Sequence, residues 1–488
     1  MGKHKGLGDT IEFITKFTGI KWLVKKILGD DCGCDERQEK LNDLVSYNKP
    51  KKKKTILIPY KQTKKDTIFV QIAAYRDPQL VPTIQSLLYN AKHPENLRIC
   101  IAWQHAAEDT WDVIPEQYWN DSRFTILDIP YEEAEGVCWA RHKIQQYYKG
   151  ERYTLQIDSH ERFIEEWDKH LIAMYKQLQS KGSKKPLITS YLPSFFPNND
   201  PQGRTQEVWQ MDFNRYTPEG YIFTFPSLIP EWQKLKEPIP ARFYSAHFAF
   251  TTGKFCEEVQ HDPQMYFHGE EPSIAARAFT HGYDLFHPHK IIGWHEYTRS
   301  TGKRHWDDNS DWETRDAQSH HRYRLMHEMD GEVCTPCVKK SFGKFYFGEE
   351  RTLEEYEKYA GLRFKDRKVQ QYTLDLKPPP NPQTLSELEY ENSLLPHFKH
   401  CIDVHEGHFK ENDYDFWVVS FEKEDGTVIS RVDADTNEID TLLHTSSQGD
   451  GIVRIWREFF GEYPYKYVIW PHSVSKGYIH EERLEKLL

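Results

Sequence analysis

The sequence predicts an α/β protein organised around a doubly wound sheet. Three observations carry this expectation: buried-strand runs alternate with helical segments from Asp66 onward, one of those strands ends in a cluster of ionisable residues, and a proline run near residue 380 sets off a smaller α+β segment. Ile68 to Ala73 is the first strand run, Pro82 to Asn90 reads as a helix, and Leu97 to Trp103 is the next strand, which completes a βαβ unit. A strand at Phe124 to Ile129, a helix around Val137 to Tyr148 and a strand at Tyr153 to Ile157 continue the alternation. Ligands of an open α/β sheet gather beyond the carboxyl ends of its strands, so chemistry is expected just after Ile157.

The flanks have a different texture. Ile11, Phe13, Ile14 and Phe17, then Leu23, Val24, Ile27 and Leu28, recur at helical spacing around a break at Thr18-Gly19, which predicts a helical hairpin within residues 1–48. Its apolar faces suit a partner or another domain. The basic run Lys49-Pro-Lys-Lys-Lys-Lys54 reads as part of a solvated linker over 49–65. The α/β core is expected over 66–375, a stiff spacer over 376–382 (Leu376-Lys-Pro-Pro-Pro-Asn-Pro382), and an accessory α+β domain over 383–488. In that domain Phe416 to Phe421 and Val428 to Val432 flank the hairpin signal Asp425-Gly426, followed by an expected helix near Val453 to Phe460 and a strand at Tyr467 to Trp470.

Composition narrows the function. With 64 Lys+Arg against 75 Asp+Glu the 488 residues carry a net charge of −11, which argues against a general nucleic-acid binder. A hydrophobic content of 38% is enough for a sizeable core. No apolar stretch reaches the ~18–20 residues of a membrane span, so a soluble, cytoplasmic protein without a membrane partner is expected. Eight cysteines are too sparse for a disulfide scaffold and fit a reducing compartment. Cys334-Thr-Pro-Cys337 is half of a zinc site, with Cys32 and Cys34 able to complete it only if head and core pack together; free thiols are the simpler reading.

The chemistry-bearing stretch is Tyr153-Thr-Leu-Gln-Ile-Asp-Ser-His-Glu-Arg162. Strand side chains alternate, so Asp158 and His160 at i and i+2 point the same way and can hold one metal ion. A second polar cluster runs through His268-Gly-Glu-Glu271, Thr280-His-Gly-Tyr-Asp284, His287-Pro-His289 and Trp294-His-Glu296. Paired carboxylates such as Glu270 and Glu271 serve equally as a helix cap or as catalytic groups.

These segments carry a resemblance. Ile72-Ala-Ala-Tyr-Arg-Asp77, Cys138-Trp-Ala-Arg141, Leu155-Gln-Ile-Asp-Ser-His160, His268-Gly-Glu-Glu271, Thr280-His-Gly-Tyr-Asp284 and Trp294-His295 follow one another in the order and spacing of a known group of glycosyltransferases. Residues 66–375 resemble the retaining α-N-acetylglucosaminyltransferases that modify hydroxyproline on the ubiquitin-ligase adaptor of protists, and their mucin-type relatives. Arg351-Thr-Leu-Glu-Glu-Tyr356 and Ala360-Gly-Leu-Arg-Phe364 belong to the similar stretch; the helical head and the tail do not. The resemblance implies a GT-A fold, a nucleotide-sugar donor such as UDP-GlcNAc, and Mn²⁺ (or Mg²⁺) bridging its diphosphate. Under it, Asp158, His160 and His295 are the metal ligands, with His287 and His289 close competitors for the last place. Ala73, Tyr75, Arg76 and Asp77 contact the nucleoside, Ser159 belongs to the donor-binding set, and Arg141 reaches Asp158 or the diphosphate. Glu270, Glu271 and Asp284 line the sugar and acceptor side, with no covalent nucleophile. The implied acceptor is a protein hydroxyl, with a glycan or a modified nucleobase also open.

Two other readings compete. Two histidines and a carboxylate also form the facial triad of non-haem Fe(II) oxygenases, but those ligands usually sit on a jelly roll in His-x-Asp order. A non-catalytic interaction or virion-associated protein on a transferase scaffold would be free to lose the site residues, and all are present. The tail after the proline run is expected to position the acceptor without joining the chemistry; simple covering of apolar surface is the alternative.

Overall fold

The computed structural model describes residues 66–299, 302–382 and 386–488. The helical head, the basic linker, Cys32 and Cys34 lie outside the described residues.

The core begins with β1 (Ile68–Tyr75), α1 (Leu80–Asn90), β2 (Leu97–His105), β3 (Phe124–Pro130), α2 (Val137–Gln145) and β4 (Tyr153–Asp158). The expected alternation is present, with strand ends shifted by one or two residues. Next come β5 (Glu161–Phe163), α3 (Trp167–Ser180), β6 (Lys185–Thr189), the hairpin β7 (Trp209–Tyr216) and β8 (Ile222–Leu228), and β9 (Ile239–Pro240). The core continues with β10 (Phe248–Thr252), α4 (Glu270–Thr280), β11 (Tyr283–His287), β12 (Gly293–His295), α5 (Trp312–Met326), α6 (Leu353–Ala360), β13 (Leu362–Arg363) and β14 (Lys368–Gln370).

Eight strands form one sheet in the order β3-β2-β1-β4-β10-β6-β11-β9. β1, β2, β3 and β4 run parallel, and β10 is inserted antiparallel between β4 and β6. This mixed α/β sheet agrees with the implied GT-A core. Ile68, Val70 and Ile72 face α1 and α3, while Phe69 faces α2, so both faces of β1 are covered. That double burial is why β1 reads as a continuous apolar run rather than an alternating one. α1 follows the same logic with the helical period, burying Leu80, Ile84, Leu87 and Leu88. A second core gathers β7, β8, α4, α5 and α6 around Phe213, Tyr244, Ala275, Tyr323 and Tyr356.

The C-terminal part contains β15 (Leu394–Leu395), β16 (His397–His405), β17 (Tyr414–Glu422), β18 (Val428–Arg431), β19 (Ala434–Asp435), α7 (Thr436–Gln448), β20 (Ile452–Phe460), β21 (Lys466–Ser473), β22 (Gly477–Tyr478) and β23 (Leu484–Leu487). β17 and β18 pair across the Asp425-Gly426 turn as expected. The segment expected as a helix near Val453 to Phe460 is instead strand β20, paired with β16 over its whole length. Its residues Val453, Ile455 and Arg457 are buried at every second position, so the period of two prevailed over a helical reading.

The proline run does not stand free of the core. Asn381 is buried, and its side chain joins Arg242, Gln370 and Thr373. β15 extends the β13–β14 ribbon by pairing with β14, and the Phe460 ring meets Phe213 and Tyr216. Among the described residues, no helix is long and apolar enough to cross a membrane.

Candidate active site

β1 and β4 end side by side, with Ala73 in register with Asp158. The chain leaves β1 through Arg76 at φ +43°, a left-handed turn that tucks Asp77 under the end of β4. There the Asp77 carboxylate accepts from Ser159 Oγ at 2.6 Å and from His160 Nδ1 at 2.7 Å. A carboxylate on Nδ1 fixes the proton on that nitrogen and leaves the Nε2 lone pair for the cleft. Burial alone would raise the Asp77 carboxyl, but the charge and hydrogen bond of His160 hold it well below the usual range.

β12 pairs antiparallel with β5, setting His295 opposite Glu161. This carries His295 Nε2 to 3.4 Å from Asp158 Oδ2, while His160 Nε2 lies 3.7 Å from the same oxygen. One ligand atom from each of Asp158, His160 and His295 falls within 4.8 Å of the others. Burial would raise the Asp158 carboxyl, yet it is held well below its ordinary range by the His295 hydrogen bond and the charge of Arg141. Burial pushes His295 down to about 4. An ionised carboxylate and two imidazoles with converging nitrogens fit a divalent cation, and the pairing of His160 with Asp77 is the outer support such ligands commonly have.

Arg141, on α2, reaches Asp158 at 2.7 Å and holds both oxygens of Glu270 at 2.9 and 2.8 Å. His261 Nδ1 lies 2.5 Å from Glu270 Oε1. Burial would raise Glu270, but Arg141 and His261 bring it to about 2. Glu271 is different. It accepts from the Ala246 backbone N–H at 2.8 Å and from Tyr191 Oη at 3.2 Å, and burial pushes it up to about 7.

Two cavities meet at these residues. The larger, about 700 Å³, is lined by Ala73, Tyr75, Gln104, Ser159, His160 and Arg299, among others. The smaller, about 260 Å³, is lined by Tyr191, Thr224, Ala246, His247, Glu270 and Glu271. Arg141, Asp158 and His295 line both.

Three expectations need correction. Asp284 is not at the cleft: it is the second residue of β11, in register with Pro186 near the start of β6, and Arg351 pairs with it at 3.0 Å. That is the amino end of the parallel strands, opposite the site. Arg76 turns its guanidinium to Asp109 at 2.6 Å and Asp308 at 3.1 Å, and so braces a loop and a helical turn rather than lining a cavity. Asp77 sits behind His160 and supports it from below the cavity wall. His287 is also resolved as a competitor ligand: its Nδ1 donates to Thr189 O at 2.8 Å, away from the Asp158 cluster.

Several site residues carried no motif. His247 stacks on His295 with ring centroids 4.1 Å apart and accepts from the Leu192 N–H through Nε2 at 3.0 Å. Tyr297 meets His295 edge-on at 4.4 Å and His247 at 5.8 Å. Tyr297 could have been found from its i+2 relation to His295; His247, in Ser245-Ala-His247, offers no such signal. Arg299, Arg304 and Trp306 add two cations and an indole to the larger cavity.

A search of curated proteins finds no match. Among solved structures the chain is similar to GalNAc-T7 with UDP, GalNAc and Mn²⁺ (16% identity, TM-score 0.41, 59% of this chain and 56% of that one). It is also similar to S. aureus TarS, both as its 1–349 fragment (11% identity, TM-score 0.32, 57% and 80%) and in a longer form (9%, 0.33, 86% and 77%). The chain thus spans a little over half the length of the GalNAc-T7 chain it matches. The Glycosyltransferase (GlcNAc) family matches residues 67–123 and 112–366, a span that holds every wall of the site described above. The chain belongs to that family.

Proposed function

We propose that the protein moves N-acetylglucosamine from UDP-GlcNAc to an acceptor hydroxyl on a protein, in a divalent-cation-dependent reaction that retains the α configuration. The observation that carries this reading is the convergence of Asp158, His160 and His295 at the junction of the two cavities. The larger cavity has the volume and lining for a nucleoside diphosphate, with Ala73 and Tyr75 at the nucleoside end and Arg299 and Arg304 available to the phosphates. Mn²⁺ (or Mg²⁺), when bound to Asp158, His160 and His295, would offset the charge that develops on the departing diphosphate.

The chain's own residues divide the remaining work. Asp77 keeps the His160 Nε2 lone pair turned to the cleft. Arg141 keeps Asp158 and Glu270 ionised side by side. Both Glu270 oxygens are committed to Arg141, which makes that carboxylate a poor nucleophile and supports transfer without a glycosyl-enzyme. Glu271 and Tyr191, in the smaller cavity, suit sugar and acceptor hydroxyls. In the proposed step the sugar C1–O bond to the diphosphate breaks, and the acceptor oxygen bonds C1 on the face being vacated. The hydroxyl proton passes to the leaving phosphate oxygen.

The test is to incubate the full chain with a panel of UDP-sugars and Mn²⁺, follow donor hydrolysis and transfer by mass spectrometry, and read the product's anomeric proton coupling. Turnover of UDP-GlcNAc with an α-linked product is expected. A β-linked product refutes retention, and preference for another sugar refutes the donor.

A further inference from the structure

A second cluster of metal-ligand residues shares no residue with the Asp158 cluster. His268, Asp316 and His320 each present one ligand atom, and these atoms lie within 4.8 Å of one another. Asp316 and His320 are one helical turn apart on α5, so they share a face. His268 is the residue before Gly269, whose backbone at φ +88° passes so close to α5 that a Cβ there would stand 3.2 Å from the Tyr323 ring. Close passage of chain and helix is what brings the third ligand in.

The two imidazoles are held for a common purpose. Tyr221 stacks on His268 at 4.9 Å and on His320 at 5.1 Å, fixing both rings. His320 is only 7% exposed, yet its Nε2 has no hydrogen-bond partner and stands 3.6 Å from Asp316 Oδ1. A buried ring nitrogen without a partner is uncommon and asks for an explanation. Burial also lowers the pKa of both histidines, which favours the neutral, ligating form.

We propose that His268, Asp316 and His320 bind a zinc-class divalent cation, separate from the cation of the donor site. Two imidazoles and one carboxylate are a donor set used by Zn²⁺ with a fourth position left open. His268 lines both cavities, so that open position faces the substrate cleft. Binding there ties α5 to the turn that leads into Glu270 and Glu271, and so fixes the rim of the smaller cavity.

The experiment uses the full chain carrying Asp158→Ala, which disables the donor-site ligand set, and titrates it with Zn²⁺ alone by calorimetry, with elemental analysis of the dialysed protein. One equivalent of Zn²⁺ is expected to remain bound. Adding Asp316→Asn or His320→Ala to that background weakens the binding by at least about 100-fold, with the circular dichroism unchanged. Should His320→Ala disturb folding, Asp316→Asn decides, because it keeps the side chain's size at a position that is 20% exposed. No Zn²⁺ uptake by the Asp158→Ala protein, or uptake that Asp316→Asn leaves unchanged, overturns the proposal. Loss of glycosyl transfer alone leaves this readout untouched, so failure of the proposed reaction and failure of this site are distinguishable.

Discussion

The core and the C-terminal module bury different kinds of residue. Around the cleft the core buries Asp77, Arg141, His160, Glu161, Glu270 and His295 within a few ångströms of one another. The module buries Arg457 and Glu482, each satisfied locally: Arg457 by Glu438 and the Val432 carbonyl, Glu482 by Tyr414 and the Lys410 N–H. Burying charge costs free energy that an apolar replacement would avoid, so a dense buried network is retained where it does something else. Among the described residues, both candidate metal clusters lie in the core and neither in the module. The difference sets a core that concentrates charge around its cleft beside a module whose buried charges are each paired locally.

Substitutions break that contrast most sharply at the cation ligands. Asp158→Ala should lower metal-dependent transfer by roughly three orders of magnitude, since several kcal/mol of charge stabilisation are lost. Product quantified by mass spectrometry checks this, and residual activity within tenfold of the parent contradicts it.

Arg141→Met leaves Asp158 and Glu270 buried without their shared cation and should cost about 3–5 kcal/mol of stability in denaturant unfolding. The matched change Arg457→Met in the module removes a contact to Glu438, whose side chain is 37% exposed, and should cost only about 1–2 kcal/mol. Equal losses at the two positions would erase the distinction.

Removal of the module tests its role as the proposed acceptor reader. Because Asn381 is hydrogen-bonded into the core, the cut belongs after Pro382 rather than before it. Donor hydrolysis should persist while the acceptor KM rises by about 10²-fold, the scale at which a second binding site raises local concentration. An aggregated or hydrolysis-dead product would make the module structural, with Phe460 covering Phe213 and Tyr216 as its purpose.

The smallest effect is a pH dependence at Glu271. Its carboxyl is raised from 4.5 to about 7 by burial, so as pH rises through this window the unfolded chain loses its proton first and the folded state becomes less stable. Glu271→Gln should therefore be more stable than the parent at pH 8, by on the order of 1 kcal/mol, and equal to it at pH 4. Thermal melts at the two pH values give the sign directly.

Much of this was legible in the residues. The β1 to β4 alternation was readable because strands covered on both faces are unbroken apolar runs, and Asp158 with His160 was readable because a strand has a period of two. Position defeated the rest. Asp284 shares its motif with real site neighbours, yet β11 begins at the far end of the sheet, so adjacency in sequence put it on the wrong side. Asp77 and Arg76 sit at the right strand end but turn away, through a left-handed backbone that no residue type announces. His247 reaches the site because β10 pairs antiparallel with β4 and sets it beside Asp158, a placement by residues far apart in sequence that has no local pattern. β20 was misread because Arg457, an inward-facing charge, disguises its alternation.

The central claim is that Asp158, His160 and His295 build a cation-dependent nucleotide-sugar site. Calorimetric titration of UDP-GlcNAc into the full chain, with Mn²⁺ and with a chelator, for the parent and for Asp158→Ala, tests it most directly. The account predicts binding by the parent with Mn²⁺, and none with chelator or in Asp158→Ala. Affinity that is the same with and without the metal, or unchanged by Asp158→Ala, would contradict it.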